Sequence, residues 1–534
     1  MHKDPRIAYV YPSLIKALRV SAVGVAFICL LDGPPKLASA QNAGHSDPAE
    51  KREWAPAAID HAQQMRTHKD TDHGSQQTPS VIPKFSDDRD PSGRIATFQP
   101  GGATATGNNA FFQNLGTNGR TCFTCHQPQN GWTISAAGAQ ARFEESSGGD
   151  PLFRLVDGAT CPTANVSTPG AKRQAYKLLI DKGLIRIGLP LPPAAILQFE
   201  VTHVDDPYNC STNPATGLTS KTTGIGSVYR RPLPSTNLGF LTAIMWDGRE
   251  PSLVSQSIDA TLIHAQAGAA PTGDQQGQIV AFESGIFTAQ IFDNKARDLR
   301  ADGATGGPVA LSLEIAKFFI GVNDPVGLNP KGLPFDPNIF DLYTSPMWSG
   351  FKGHDEDENE METARMADHR RSIARGERAF NTTQINITGV AGLNDALNLP
   401  SIAGFCGTCH DTPNVGNHSV KAPLNIGIAN AGANKPPALD ISGLPVFTLR
   451  CTKGPLAGQI FVVTDPGRAL ISGNCADIGK VKGPILRGLA ARAPYFHNGS
   501  AATLLDAMNF YDQRFGIGFT VEQKEDLVNF LNAL

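Results

Sequence analysis

The sequence predicts a mainly α fold in two parts, with helices separated by long irregular loops. Three observations carry that expectation. The 534 residues include 54 Gly and 39 Pro, which punctuate the chain throughout. Helical periodicity is clearest towards the C-terminal end. One pattern, Cys-x-x-Cys-His, occurs once in each half, as Cys122-Phe-Thr-Cys125-His126 and Cys406-Gly-Thr-Cys409-His410. No short-period repeat accompanies it.

Taken in order, residues 1–40 read as a secretory signal. Lys3, Arg6, Lys16 and Arg19 precede an apolar stretch over 20–31, and Ala38-Ser39-Ala40 is a small-residue cleavage site. The apolar run is short for a bilayer span, so cleavage is expected, with an uncleaved anchor as the alternative. Residues 41–95 are polar without periodicity and read as a flexible leader, whose His45, His61, His68 and His73 are expected to be solvated. A first globular part follows over 96–345. An acidic run at 355–362 sits in an expected linker over 346–370, and a second globular part fills 371–534.

Within the second part, residues 372–380 are expected to be helical. A helix over 500–512 places Leu504, Leu505, Met508 and Tyr511 on adjacent faces. A final helix starts from Thr520, with Gln523 completing the capping pattern, and carries Leu527, Phe530 and Leu531 inward. Residues 420–474 alternate short apolar runs with Gly and Pro, which suits loops and a small hairpin.

The formal net charge of −3 is nearly neutral, which gives no footprint for nucleic acid or an anionic membrane surface. Of nine cysteines, Cys29 lies in the expected signal and four lie in the pentapeptide motifs. The other four suit an exported protein if they pair, by proximity Cys161 with Cys210 and Cys451 with Cys475.

The motif itself carries chemistry. Two thiols at this spacing can form thioether bonds to a haem, and the adjacent histidine can bind the iron. A redox dithiol or half a zinc site fits a lone Cys-x-x-Cys, but two copies each followed by His favour two covalent haems. Cys122, Cys125, His126, Cys406, Cys409 and His410 are therefore the expected attachment residues.

Two further segments stand out: Met245-Trp246-Asp247-Gly248-Arg249-Glu250-Pro251-Ser252-Leu253 with Gln256, and Arg492-Ala493-Pro494-Tyr495-Phe496-His497-Asn498-Gly499-Ser500. With the haem motifs in this order, the chain from about residue 110 resembles the bacterial dihaem cytochrome c peroxidase and MauG family. The resemblance implies two cytochrome c-like helical domains with one haem each, the N-terminal haem being the one that meets peroxide. It implies that Trp246 lies between the haems as an electron relay, although a plain core anchor is the alternative. It also places Gln256 on the distal side of the first haem.

Four departures from the family's pattern matter. Residues 127–155 hold no histidine to cap the first iron, so an open or water-bound site is expected. The family's distal glutamate is replaced by Gln266, and His264 becomes the candidate acid/base, with a hydrogen-bonded structural histidine as the alternative. At the family's methionine or tyrosine ligand to the second iron stands Tyr511, with Met508 one turn earlier as the alternative. The family also binds calcium between its domains. Here Arg231 or Pro232 falls at its asparagine ligand, leaving carbonyls of Arg492 and Pro494 with water as the remaining route to Ca2+. His497 is expected to hold local structure or a haem propionate, with Arg249, Arg487 and Arg468 as further propionate partners.

The resulting expectation is a periplasmic dihaem oxidoreductase that reduces hydrogen peroxide with electrons from a small cytochrome c or cupredoxin, with no stable membrane insertion after signal cleavage. Homodimerisation stays open. The alternatives are MauG-like or oxygenase-like oxidation of a protein or organic substrate, and a non-catalytic electron-transfer cytochrome. A haem-stabilised scaffold would leave the distal and relay residues unexplained.

Overall fold

In the computed structural model, residues 78–210, 221–352 and 360–534 are described. The expected signal, most of the expected leader with its four histidines, and part of the acidic run lie outside them.

Among the described residues there are twelve α-helices and thirteen strands, so "mainly α" holds only in part. The strands were hidden because several are short or polar on their outer face. Phe85–Asp90, Gly93–Phe98, Phe287–Asp293 and Arg297–Asp298 form an antiparallel four-stranded sheet. Its inner strands are buried almost throughout, while Phe85–Asp90 is a partly exposed edge. The expected leader over 41–95 is therefore too long, since residues from 81 onwards enter strands.

A three-stranded sheet joins the two halves of the sequence. Val446–Cys451 pairs with the hairpin partner Ile460–Val463 on one side and with Phe199–Asp205 on the other. Its inward side chains Phe199, Val201, Phe447, Leu449 and Val463 pack as one apolar cluster. Both expected cysteine pairs lie at disulfide distance, with Cα–Cα separations of 5.3 Å for Cys161–Cys210 and 6.0 Å for Cys451–Cys475.

The helix Glu360–Thr382 starts inside the expected 346–370 linker and packs on Val521–Asn532. Gly376 permits that approach, because a Cβ there would collide with the Asp526 carbonyl. Asp526 then takes hydrogen bonds from Ser372 Oγ at 2.6 Å and from Arg375 Nε at 2.7 Å. The final helix has the expected Thr520–Gln523 capping box. Leu504–Phe515 begins four residues later than expected, because Thr503 and Asp506 supply its capping box.

Phe340, Phe380 and Phe530 meet with ring centroids 5.2–5.9 Å apart, each such pair adding about 0.5–1.5 kcal/mol beyond burial. Phe380 also lies 6.3 Å from the His410 ring, so this core sets the second motif. Phe111 plays the same part for His126, at 6.1 Å, within a cluster with Trp132 and Phe282. No helix among the described residues is long and apolar enough to cross a membrane.

Candidate haem cavities and the wall between them

Each Cys-x-x-Cys-His motif begins with a single 3-10 turn, Cys122–Thr124 and Cys406–Thr408, and each opens on its own cavity. The four thiols are unpaired. His126 Nδ1 lies 2.9 Å from the Trp132 carbonyl, and His410 Nδ1 lies 2.7 Å from the Gly416 carbonyl. A carbonyl can only accept, so Nδ1 carries the proton and Nε2 keeps a lone pair for a metal. Burial lowers His126 to about 4, which keeps the ring neutral as a ligand must be.

The first cavity faces the helix Leu253–Ile263, whose N-terminus is fixed by a Ser252–Ser255 capping box. Gln256, Ala260 and His264 recur at four-residue spacing and therefore share the face that lines the cavity. His264 Nδ1 lies 2.5 Å from Asp157 Oδ2, and Asp157 Oδ1 accepts from Arg120 Nη1 at 2.6 Å. Arg120 is held in turn by the carbonyls of Pro151 and Leu152. Burial alone would raise Asp157, but Arg120 and His264 outweigh it and hold the carboxylate below its ordinary range.

Gln266 is placed elsewhere. It follows the end of the helix at φ 54°, its amide oxygen accepts from Asn118 at 3.2 Å, and it does not line the cavity.

A second acid was not read from the sequence. Glu283 on Gly273–Gly285 is buried and lines the first cavity with Cys122. Ser235 Oγ donates to its Oε1 at 2.9 Å, while Oε2 has no partner. Burial lifts this carboxyl to about 7. A lone glutamate in a Gly- and Gln-rich helix carries no sequence signal of this role.

The second cavity is more apolar, lined by Ile385, Ile387, Leu424 and Ile428. Tyr511 and Met508 both line it from Leu504–Phe515, so the two expected alternatives remain side by side. Burial raises the Tyr511 phenol above its ordinary value.

One wall belongs to both cavities. Trp246, Arg231, Leu233 and Leu241 are among the residues that line each of them. The Trp246 indole donates to the Arg231 carbonyl at 2.8 Å, and its ring lies 6.1 Å from His497 and 5.4 Å from Lys482 Nζ. The sequence around it builds this seat. Asp247 accepts from Arg230 Nη1 at 2.6 Å, and Arg230 Nε bonds Asp465 at 2.6 Å, tying the Trp246 segment to the second half.

Haem fits these cavities by the charge left around them. Lys482, Arg487 and Arg492 line the second cavity; the first two are buried and the third half-buried, and none forms an ion pair with a carboxylate among the described residues. Burial pulls them down to about 8, 10 and 10. Arg487 Nη2 and both ring nitrogens of His497 are buried without a hydrogen bond. A buried guanidinium with an unbonded nitrogen, such as Arg487, suits an anion, which the carboxylates of a haem would supply. Of the expected propionate partners, Arg487 and Arg249 line cavities, whereas Arg468 does not and instead bonds the Asp247 carbonyl.

No family model matches the chain. It is 26% identical over 271 residues to the cytochrome c551 peroxidase of Nitrosomonas europaea, covering 49% of this chain and 66% of that protein. It is 34% identical over 144 residues to the cytochrome-c peroxidase IdrP2 of Denitromonas iodatirespirans, covering 24% and 36%. The alignments thus span less than two thirds of these relatives. The solved structure of a MauG-like protein associated with microbial copper homeostasis matches at TM-score 0.34 and 15% identity over 80% of this chain, too distant to bear on the site.

Two attachment motifs, each beside a cavity with a neutral histidine, supply the residues that would hold a c-type haem. More narrowly, the chain is similar to cytochrome c peroxidases over part of their length.

Proposed function

We propose that the chain is a periplasmic dihaem oxidoreductase that reduces hydrogen peroxide with electrons from a small cytochrome c or cupredoxin. His126 and His410 would hold two haems c, attached through Cys122, Cys125, Cys406 and Cys409, in two cytochrome c-like domains. When bound, haem would supply a redox-active iron that passes on the electrons delivered by the donor protein.

The observation that carries the reading is the asymmetry of the two cavities across a shared indole. The cavity of His126 is also lined by groups that handle protons, and that of His410 by mainly apolar side chains with one phenol and one thioether. Peroxide reduction consumes two electrons and two protons. His264 is the group that delivers or moves a proton at Nε2, with Asp157 fixing its ring and Gln256 offering an amide to orient the substrate. Gln266 supports this face from behind through Asn118. Trp246 offers the path between the cavities.

A second reading, oxidation of an organic or protein substrate, draws on Tyr511 in the lining of the second cavity. The two are separated by mixing holoprotein with reduced cytochrome c and peroxide. Turnover is expected. Cyanide is expected to shift the spectrum of one haem and spare the other. Two haems closed to cyanide in every oxidation state would leave an electron-transfer cytochrome.

A further inference from the structure

Arg231 is a buried cation without an acid. Its guanidinium donates only to backbone carbonyls: Nη1 to Lys182 and Gly183, each at 3.2 Å, and Nη2 to Ile134 at 2.6 Å and Arg492 at 2.8 Å. Among the described residues no carboxylate pairs with it. Burial and the neighbouring Arg492 guanidinium pull Arg231 down to about 9, still above neutral, so it stays charged.

The cage is built for a positive charge. Lys182 and Gly183 are the C-terminal end of the helix Lys177–Lys182, where carbonyls lack intrahelical partners. Ile134 follows the loop that carries the Trp132 carbonyl, and Arg492 comes from the second half of the chain. A ring of inward carbonyls from separate segments is the donor set that elsewhere coordinates a hard cation.

Calcium does not fit here. The Arg492 carbonyl, one of the ligands left to it by the sequence, is already bonded to the guanidinium. Among the described residues no cluster of three or more His, Cys, Asp or Glu offers another metal site. Arg231 is also wired to the shared wall through its main chain. Its N–H donates to the His497 carbonyl at 2.6 Å, and its carbonyl receives the Trp246 indole at 2.8 Å.

We propose that the Arg231 guanidinium is a built-in structural cation that replaces a bound divalent ion between the two cavities and thereby positions Trp246. The chain holds its inter-cavity geometry without calcium. Arg231 acts through Trp246 and His497, and so is a positioning residue.

The test uses haem-loaded protein and needs no turnover, so its outcome is independent of the peroxide reading. Metal content, melting temperature, absorption and paramagnetic resonance spectra, and the two haem reduction potentials are measured after EGTA and after added calcium chloride. Substoichiometric calcium and unchanged readings are expected. One calcium per chain whose removal shifts any of them overturns the proposal. Arg231→Asn replaces the cation with a neutral oxygen donor, and is expected to shift the potentials and to regain part of the shift with calcium chloride or guanidinium chloride. Arg231→Lys keeps the charge but cannot span four carbonyls, and is expected to fall between the two. Wild-type potentials in Arg231→Asn without any added cation overturn the proposal. If neither variant folds, calcium content and the response of the wild-type protein to EGTA decide the matter.

Discussion

His264 Nδ1 and Asp157 Oδ2 lie 2.5 Å apart, which fixes the ring orientation of a histidine at a helix end and, on the proposed function, would make it an oriented acid/base. Asp157→Asn keeps the shape but presents an amide whose donor or acceptor can face the ring, so the tautomer is no longer fixed. Peroxide turnover per unit substrate is expected to fall by about 10²-fold, with His264→Gln similar and the double variant no worse. Stopped-flow reaction with peroxide measures this; wild-type rates in both single variants would remove His264 from the chemistry. The folded-state value of Asp157 is depressed, so its contribution to stability is complete above the ordinary 3.8 and is lost as pH falls through the lower folded value.

Glu283 has the opposite sign. Its folded-state value of about 7 lies above the ordinary 4.5, so the folded state favours the neutral acid. A destabilising penalty builds as pH rises from 4.5 towards 7 and is constant above that. Glu283→Gln is therefore expected to match wild type near pH 4 and to exceed its stability at pH 8 by up to about 3 kcal/mol. Denaturant titrations at the two pH values check this, and a difference that does not grow with pH refutes the assignment.

How much was legible follows from what kind of signal each residue carries. The Cys-x-x-Cys-His motifs and the Thr520–Gln523 box announce themselves by local spacing, whereas Trp246 stood out only through the family resemblance of the segment around it. Asp157 and Arg120 do not, because each is a single charged residue in a loop whose partner lies far along the chain. Arg231 was visible only as a departure from a family ligand, since a carbonyl cage leaves no trace in side-chain identities. Pairing of Phe199–Asp205 with Val446–Cys451 was hidden for the same reason: strand partners so distant in sequence share no periodic pattern. Gln266 went astray because the turn after His264 redirects the side chain that linear spacing had placed beside Gln256.

Trp246 joins the cavities through a ring, and its N–H anchors that ring to Arg231. Trp246→Phe keeps apolar bulk but deletes the anchor and the larger π-system. Electron exchange between the haems is expected to slow by about tenfold or more, equivalent to about 1.4 kcal/mol on the barrier. Pulse reduction of one haem followed optically measures the exchange. An unchanged rate would make Trp246 a core anchor and nothing more.

Tyr511 and Met508 could not both ligate an iron that His410 would hold, although both line the same cavity one helical turn apart. A phenol and a thioether differ in charge and softness, so removing the true ligand changes the iron's spin state and potential, whereas removing the other changes only packing. Tyr511→Phe deletes one oxygen and Met508→Leu deletes the sulfur at near-constant volume. The register of the helix beyond His497 favours Tyr511, so Tyr511→Phe is expected to shift the spectrum and raise the potential of the second haem, with Met508→Leu close to wild type. The reverse pattern would identify Met508 as the ligand and favour acceptance of electrons from a small carrier over oxidation of a bulky substrate.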